Sequence, residues 1–249
     1  MKDSFQTNLI VVPGHGVCIN PAEPAEDKSW VGAFIGEGSL YTEHIKEGVR
    51  QAAEDESTLL VFSGGQTREA AGDHSEAKSY QAIAEQADWW TYENVALRAR
   101  TEEYARDSFE NLLFSIALFK RECGSWPNVV TVVGWMFKQD RYTLHRQAIR
   151  WPSARFQYVG VNNPIGDALA KAEEGEQAKV NSVKSDMFLL GPEWVSQRLM
   201  RDPFNRRHVY MGIDANLDKF LAFRDSATYT GELPWLTGPS SRLDERKIL

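Results

Sequence analysis

The feature that most constrains the fold of this chain is a set of short apolar runs, each followed by a glycine-bearing turn. Residues 9–12 (LIVV) precede PGHG, residues 58–62 (TLLVF) precede SGG, and residues 128–133 (NVVTVV) precede Gly134. Such continuous runs suit strands buried on both faces, as in a parallel sheet. Residues 155–161 and, more weakly, residues 94–98 are predicted to be further strands.

Segments with helical periodicity separate these runs. Residues 40–53, 75–87 and 139–151 are predicted helices, and a further helix is expected between Asp107 and Gly124. Asp73 with Glu76, and Asp107 with Glu110, have the spacing of an N-cap and its capping-box partner. Alternating strands and helices predict a Rossmann-like, doubly wound α/β fold, in which helices cover both faces of a mainly parallel sheet.

The length of 249 residues allows one or two domains. Residues 1–162 contain the predicted strands and are expected to form the Rossmann-like domain. In residues 163–249, segments 167–190 and 192–200 have helical patterns and the segment from 202 onward is rich in loops. We expect this last third to be a helical cap and a loop-rich tail, packed on the same domain.

Charge and composition narrow the class of function. The 28 Lys and Arg residues against 35 Asp and Glu give a formal charge of −7, which disfavours a nucleic-acid partner. Two cysteines cannot form a disulfide framework or a CxxC metal site. No apolar run approaches the roughly 18 residues of a membrane span. These features predict a cytoplasmic protein without a membrane partner.

Three loops fall at the carboxyl ends of predicted strands, where open α/β sheets bind ligands: residues 13–17, 63–68 and 134–141. Their backbone N–H groups are suited to phosphate or carboxylate, although the glycines equally fit tight strand-to-helix turns. The complete GxGxxG, GxxxxGK[ST], GxSxG and HExxH motifs are absent. A small-molecule ligand is therefore expected, but none of these motifs specifies which one.

Several side chains in or near these loops have the chemistry of a binding site. His15 is a candidate acid, base or anion ligand, or simply a turn histidine. Lys138 and Arg141 share a helix face that suits an anion, although a solvated basic helix start gives the same pattern. Ser63, Gln66 and Arg68 are further candidate donors. The other four histidines, which lack the spacing of metal ligands, are expected to be structural or to lie at the surface.

Taken in order, these segments resemble the domain-of-unknown-function family typified by the bacterial proteins YdcF, SanA and ElyC. The matching blocks are VVPGHGV (11–17), VFSGGQ (61–66), SEA (75–77), residues 103–111 and VVGWMFKQDR (132–141). The resemblance covers about residues 8–160. It implies a Rossmann-like fold with a cleft lined by these blocks. Carried over by position, the lining residues are Gly14, Gly16, Ser63, Gly64, Gly65, Glu76, Glu103, Glu110, Asn111 and Arg141.

The sequence departs from the bacterial pattern at two places. Lys138 stands where that pattern has a histidine, three residues before Arg141. Asp107-Ser108-Phe109 stands where Asn-Thr usually precedes the Glu-Asn pair. A lysine with an ordinary pKa is a poor base, so the replacement favours anion binding over proton transfer at this position. One bacterial member binds S-adenosylmethionine, which makes this molecule the cofactor that the resemblance suggests.

Three classes of function fit these observations. The first is a cytosolic protein that binds a small nucleotide-like ligand at the carboxyl ends of the strands. The second is a phosphoric-ester hydrolase, or another transferase or hydrolase acting on a small anionic substrate. In such an enzyme, His15, Glu103 or Glu110 would supply acid–base chemistry, and Lys138, the fourth candidate catalytic residue, would stabilise charge on phosphoryl oxygens together with Arg141. The third is an interaction protein that uses the aromatic-rich tail from residue 202.

Overall fold

A computed structural model describes residues 6–225 and 228–236. Its centre is a five-stranded sheet in which neighbouring strands run parallel, in the order β5-β4-β1-β6-β7. Two further strands, β2 and β3, are two residues long and pair antiparallel. The strands are β1 (Asn8–Pro13), β2 (Val17–Cys18), β3 (Trp30–Val31), β4 (Thr58–Ser63), β5 (Ala99–Glu102), β6 (Val129–Gly134) and β7 (Phe156–Gly160).

Helices cover both faces of this sheet. They are α1 (Gly38–Glu54), α2 (Glu76–Gln86), α3 (Ser108–Cys123), α4 (Gln139–Ala148), α5 (Asp167–Ser185), α6 (Pro192–Met200) and α7 (Ala215–Leu221). The predicted Rossmann-like α/β fold is therefore confirmed. None of the described helices is long and apolar enough to cross a membrane.

The weak prediction of a strand at residues 94–98 is wrong. This segment belongs to a 3-10 turn, Glu93–Arg98, and strand β5 begins only afterwards. The Arg98 guanidinium donates hydrogen bonds to the carbonyl of Asn94, at 3.0 Å, and to that of Ala52 on α1. These bonds stabilise a folded turn, whereas a strand would keep Asn94 and Arg98 apart.

The two predicted helix starts have different outcomes. At α3, Asp107 is the N-cap and its Oδ1 accepts from the Glu110 N–H at 2.8 Å, as expected. At α2, Asp73 is exposed and the N-cap is Ser75, whose Oγ accepts from the Lys78 N–H at 3.0 Å. The capping box predicted for Asp73 and Glu76 is therefore wrong, and Glu76 is not the capping partner of Asp73.

Two helices end earlier than predicted. Helix α4 stops at Ala148 instead of continuing to residue 151, because Arg150 takes a left-handed conformation with φ 48°. Helix α5 stops at Ser185 instead of reaching residue 190, and Leu189 has φ 55°. The Asp186 carboxylate accepts from the N–H groups of Leu190 and Gly191, which stabilises the turn after α5.

Alternate residues of the strands enter two different cores. Ile10, Val12 and Phe62 face α1 and α2, whereas Leu9 and Val11 face α3 and α4. Both faces are buried, which explains why the strand sequences are continuous apolar runs without polar alternation.

The last third of the chain packs on the α3 and α4 face. Val183, Trp194 and Phe220 join the same core as α3. Trp235 is 1% exposed and its indole N–H donates to the Ile149 carbonyl at 2.9 Å. This side chain is thus a core residue and does not provide a surface for a partner. Helix α7, capped by Asp214, lies within the segment expected to be loops. Residues 237–249 of the predicted tail lie outside the described residues.

Candidate functional site

A cleft of about 430 Å³ opens at the carboxyl ends of β1 and β6. The sheet order reverses here, since the chain adds β4 and β5 on one side of β1 and then β6 and β7 on the other. Ligands of open α/β sheets bind at such a reversal. The far wall comes from α5 and the end of α6. Cleft residues contributed by these two elements are Lys171, Ala172, Gly175, Glu176, Lys179, Gln197 and Arg201.

About half of the residues predicted from sequence line this cleft. They are Gly14, His15, Arg68, Glu76, Asn111, Lys138 and Arg141. Gly16, Ser63, Gly64, Gly65, Gln66, Glu103 and Glu110 do not line it. The Glu103 carboxylate instead contacts Ser75 Oγ at 3.0 Å and Lys78 Nζ at 3.4 Å. Glu110 pairs with Arg106 and lines a separate hollow beside α3.

The glycine-loop N–H groups are engaged within the protein. Gly14 N donates to the Ser63 carbonyl at 2.7 Å, and His15 N donates to Tyr80 Oη at 3.1 Å. Gly64 and Gly65 donate to backbone carbonyls at 2.8 Å each. These four amides therefore do not offer the anion site that the sequence predicted.

Two of these glycines instead make room for Glu76. A β-carbon on Gly14 would lie 2.5 Å from the Glu76 β-carbon, and one on Gly64 would lie 2.7 Å from it. The Glu76 carboxylate accepts a hydrogen bond from Thr67 Oγ1. Glu76 is 6% exposed, so the glycines allow a buried carboxylate to reach the edge of the cleft.

Lys138 and His15 meet on the sheet side of the cleft. Lys138 Nζ lies 3.2 Å from His15 Nδ1, and His15 Nε2 is buried without a hydrogen-bond partner. Burial, followed by the charge of Lys138, holds the pKa of His15 well below its usual value. His15 is therefore neutral near pH 7. Tyr41 and Trp135 pack beside its ring, with centroids 5.2 and 6.0 Å away.

Arg141 and Glu176 form a buried but incompletely bonded ion pair. Arg141 Nη2 lies 2.9 Å from Glu176 Oε2, and both side chains are less than a tenth exposed. Arg141 Nε and Glu176 Oε1 have no hydrogen-bond partner. Buried polar atoms usually have hydrogen-bond partners. A polar ligand placed beside these two atoms would supply the hydrogen bonds that they lack.

Sequence reasoning missed the cations that α5 and α6 bring to the cleft. Lys179 lies on α5, and Arg201 follows directly after α6. Burial lowers the pKa of Lys179 to about 8, with smaller contributions from Arg141 and Arg201. Among the described residues, no carboxylate lies at salt-bridge distance from Lys138, Lys179 or Arg201. Lys179 and Arg201 lie in ordinary amphipathic segments, and neither belongs to a sequence motif that would have identified it.

A buried polar network lies beside the cleft. Ser63 Oγ is 2.8 Å from Glu102 Oε2 and 3.0 Å from the amide oxygen of Asn111, which lines the cleft. Burial raises the pKa of Glu102 to about 7, although four groups donate hydrogen bonds toward its carboxylate. Sequence analysis selected its neighbour Glu103, because nothing in the pattern shows which of two adjacent carboxylates enters the core.

The hydroxyl of Ser108, the first residue of α3, contacts a buried imidazole. Ser108 lines the cleft, and its Oγ lies 2.8 Å from Nε2 of His145, which is completely buried. Burial lowers the pKa of His145 to about 3, so this ring is neutral. At that pKa the imidazole is a weak base, and the pair is best described as a fixed polar contact in the cleft wall.

Comparison with known proteins gives one informative match. The chain is 24% identical to the uncharacterized protein YOR238W of Saccharomyces cerevisiae, over an alignment 264 positions long that covers 82% of this chain and 86% of the yeast protein. No protein-family model and no solved structure matches the chain. The resemblance to the YdcF, SanA and ElyC family therefore stays a prediction.

Proposed function

We propose that this chain is a cytosolic protein that binds a small, anionic, nucleotide-like ligand in the cleft between β1, β6 and α5. One observation carries the proposal. Six Lys and Arg side chains line the cleft against four Asp and Glu. Three of the cations, Lys138, Lys179 and Arg201, converge without a carboxylate partner among the described residues.

The physical reason is the cost of grouping half-buried cations. Like charges placed together away from water repel each other, and burial disfavours the charged form of each. A phosphate or carboxylate group between Lys138, Lys179 and Arg201 removes both penalties. It would also offer a partner to Arg141 Nε and to His15 Nε2, for which the described residues provide none.

The size and lining of the cleft suit a ligand with a flat ring. Pockets for small molecules commonly measure about 300–1,000 Å³, and this cleft falls in that range. Trp135 and Phe137 stack with centroids 5.6 Å apart and both line the cleft. Phe34 lines it as well and is 78% exposed. A base or similar ring packed against these side chains would orient the anionic end toward the cations.

S-adenosylmethionine is one candidate, from the family resemblance. Its adenine would contact the aromatic wall and its carboxylate the cations. Its sulfonium and ammonium groups, however, would add positive charge to a cleft that is already basic. A phosphate-bearing nucleotide supplies more negative charge, so we expect it to bind more tightly than S-adenosylmethionine.

Thermal unfolding with a panel of ligands tests the proposal. We expect nucleoside mono- and diphosphates, or S-adenosylmethionine, to raise the melting temperature, since a ligand at 100 times its Kd stabilises by about 2.7 kcal/mol. Arg201→Ala should abolish most of the shift. Lys184→Ala, at an exposed position of α5 outside the cleft, is the matched control and should retain it. An absence of any shift, or equal shifts in both variants, would contradict the proposal.

A phosphoric-ester hydrolase is a second candidate. It is favoured by the neutral His15, which lies 3.2 Å from the Lys138 amine and lines the same cleft as Arg141 and Arg201, cations suited to charge on phosphoryl oxygens. This function requires turnover of a generic phosphate ester that is lost in Arg141→Ala. Folding of that variant is checked by circular dichroism. Equal residual turnover in the folded variant would point to a contaminating activity.

A further inference from the structure

Lys138 is set apart from the other cations of the cleft by its immediate contacts. Its amine lies 3.2 Å from His15 Nδ1 and 5.7 Å from the centre of the Phe137 ring. Arg141, Lys179 and Arg201 line the same cleft. Among the described residues, no carboxylate pairs with this amine. It is therefore a lysine held beside an imidazole and an aromatic ring, in a positively charged surrounding.

Such an environment changes the chemistry of an amine. An ordinary lysine, with a pKa near 10.4, has fewer than about one amine in a thousand unprotonated at pH 7. Burial, followed by the charge of Arg141, holds the pKa of Lys138 well below its usual value, against an opposing contribution from the Glu176 carboxylate. Desolvation and neighbouring cations are the means by which lysines become nucleophiles toward carbonyl carbon.

We propose that Lys138 forms a Schiff base with a small aldehyde or 2-oxo acid whose phosphate or carboxylate group lies against Arg141 and Arg201. This inference rests on the proposed anion-binding function of the same cleft and names a substrate class for it. The replacement of the histidine of the bacterial pattern by Lys138 then introduces a covalent chemistry that imidazole does not provide.

The reaction balances without any further reactant. The lone pair of Lys138 Nζ forms a bond to the carbonyl carbon, and the π electrons move to the carbonyl oxygen. The two hydrogens of the neutral amine leave with that oxygen as water, so an imine and one water form from one amine and one carbonyl. His15, neutral and 3.2 Å from the amine, is placed to move a proton from nitrogen to oxygen.

His15 also explains why Lys138 is preferred over its neighbour. Lys179 lines the same cleft, and its pKa is lowered to about 8. No hydrogen bond or ring contact joins Lys179 to an imidazole among the described residues. Lys171, the third lysine of the cleft, is exposed and is expected to behave as an ordinary surface amine.

Reductive trapping tests the inference on the full-length chain. The protein is incubated near pH 7 with pyridoxal 5′-phosphate or glyoxylate and sodium cyanoborohydride, and the modified lysines are mapped by peptide mass spectrometry. We expect labelling of Lys138 at least tenfold faster than that of the exposed Lys46 and Lys184. Inorganic phosphate should slow it. Pyridoxal without phosphate should label more slowly, because it lacks the anionic group.

Lys138→Arg separates the two proposals, since it keeps the positive charge and removes the nucleophile. We expect this variant to bind pyridoxal 5′-phosphate, measured by calorimetry without reductant, and to lose the fast label. Labelling of Lys179 in place of Lys138, or uniform labelling of surface lysines, would overturn the inference that Lys138 forms a Schiff base. If the protein still binds pyridoxal 5′-phosphate in that case, the proposed anion-binding function is unaffected. If neither protein binds inorganic phosphate or pyridoxal 5′-phosphate, both proposals fail.

Discussion

Replacing Glu102 by glutamine tests the polar network beside the cleft. Glu102 is 0% exposed and its two carboxylate oxygens receive four donors: Ser63 Oγ at 2.8 Å, Tyr104 N at 2.8 Å, Ala105 N at 3.2 Å and Tyr210 Oη at 3.0 Å. These donors favour the ionised form, but burial opposes it more strongly and raises the pKa of Glu102 to about 7.

The sign of the pH effect follows from this raised pKa. Between the ordinary glutamate pKa of 4.5 and about 7, folded Glu102 keeps a proton that the unfolded chain has lost. The folded state therefore binds more protons, and its stability falls as the pH rises through this window. Between about pH 5 and about pH 7.5, the linkage relation gives a loss of about 2 kcal/mol from this single group.

Urea denaturation of wild-type protein and of Glu102→Gln, at these two pH values, measures the loss. The glutamine variant carries no titrating proton at this position, so its stability should fall by about 2 kcal/mol less than that of wild type. The variant Tyr210→Phe provides a second test of the same pH dependence. It removes a donor to the carboxylate, so the pKa of Glu102 should rise further and the window should extend to higher pH. Parallel pH dependence in wild type and Glu102→Gln would refute the reasoning.

Three further changes test other parts of the structure. Asp107→Ala removes both the N-cap of α3 and the nearer of two carboxylate partners of Arg198 on α6, 2.5 Å away, and should lower the free energy of unfolding by about 2–4 kcal/mol; a loss below about 1 kcal/mol in urea denaturation would contradict this. Gly14→Ala places a methyl group 2.5 Å from the Glu76 β-carbon and should cost about 1–3 kcal/mol, seen as a lower melting temperature; an unchanged melting temperature would show that the loop yields freely. Glu176→Gln removes the carboxylate that faces Arg141 and should tighten inorganic phosphate binding several-fold by calorimetry; weaker binding would show that the carboxylate positions the arginine.

The middle of the sheet was predictable from the sequence because strands buried on both faces carry apolar residues at nearly every position. Residues 9–12, 58–62 and 128–133 are apolar at every position or nearly so, and these segments become β1, β4 and β6 in the middle of the sheet. The edge strand β5 has the sequence ARTE, which carries no such signal. Its position was therefore misplaced onto residues 94–98 (NVALR), where three apolar residues stand in a row.

The ends of the strands located only part of the site, and Glu76 and Asn111, on α2 and α3, were named from the family resemblance. His15, Lys138 and Arg141 lie just after β1 and β6, so strand ends and loop composition located them. Lys179 and Arg201 reach the cleft from the last third of the chain, through helix packing that no local pattern encodes. The expected role of the glycine amides failed for another physical reason, since neighbouring carbonyls and the Tyr80 hydroxyl already accept from them.

The central position of β1 has a consequence for how the chain reaches its fold. Its residue Asn8 pairs with Thr58 on one side and with Val129 on the other. One edge of this buried strand thus stays unpaired during synthesis until β6 has been made, and such late, non-local pairing slows folding and exposes strands to aggregation. We expect truncations that end before residue 129 to aggregate during expression, and we expect the rate of refolding to depend most on contacts between β1 and β6.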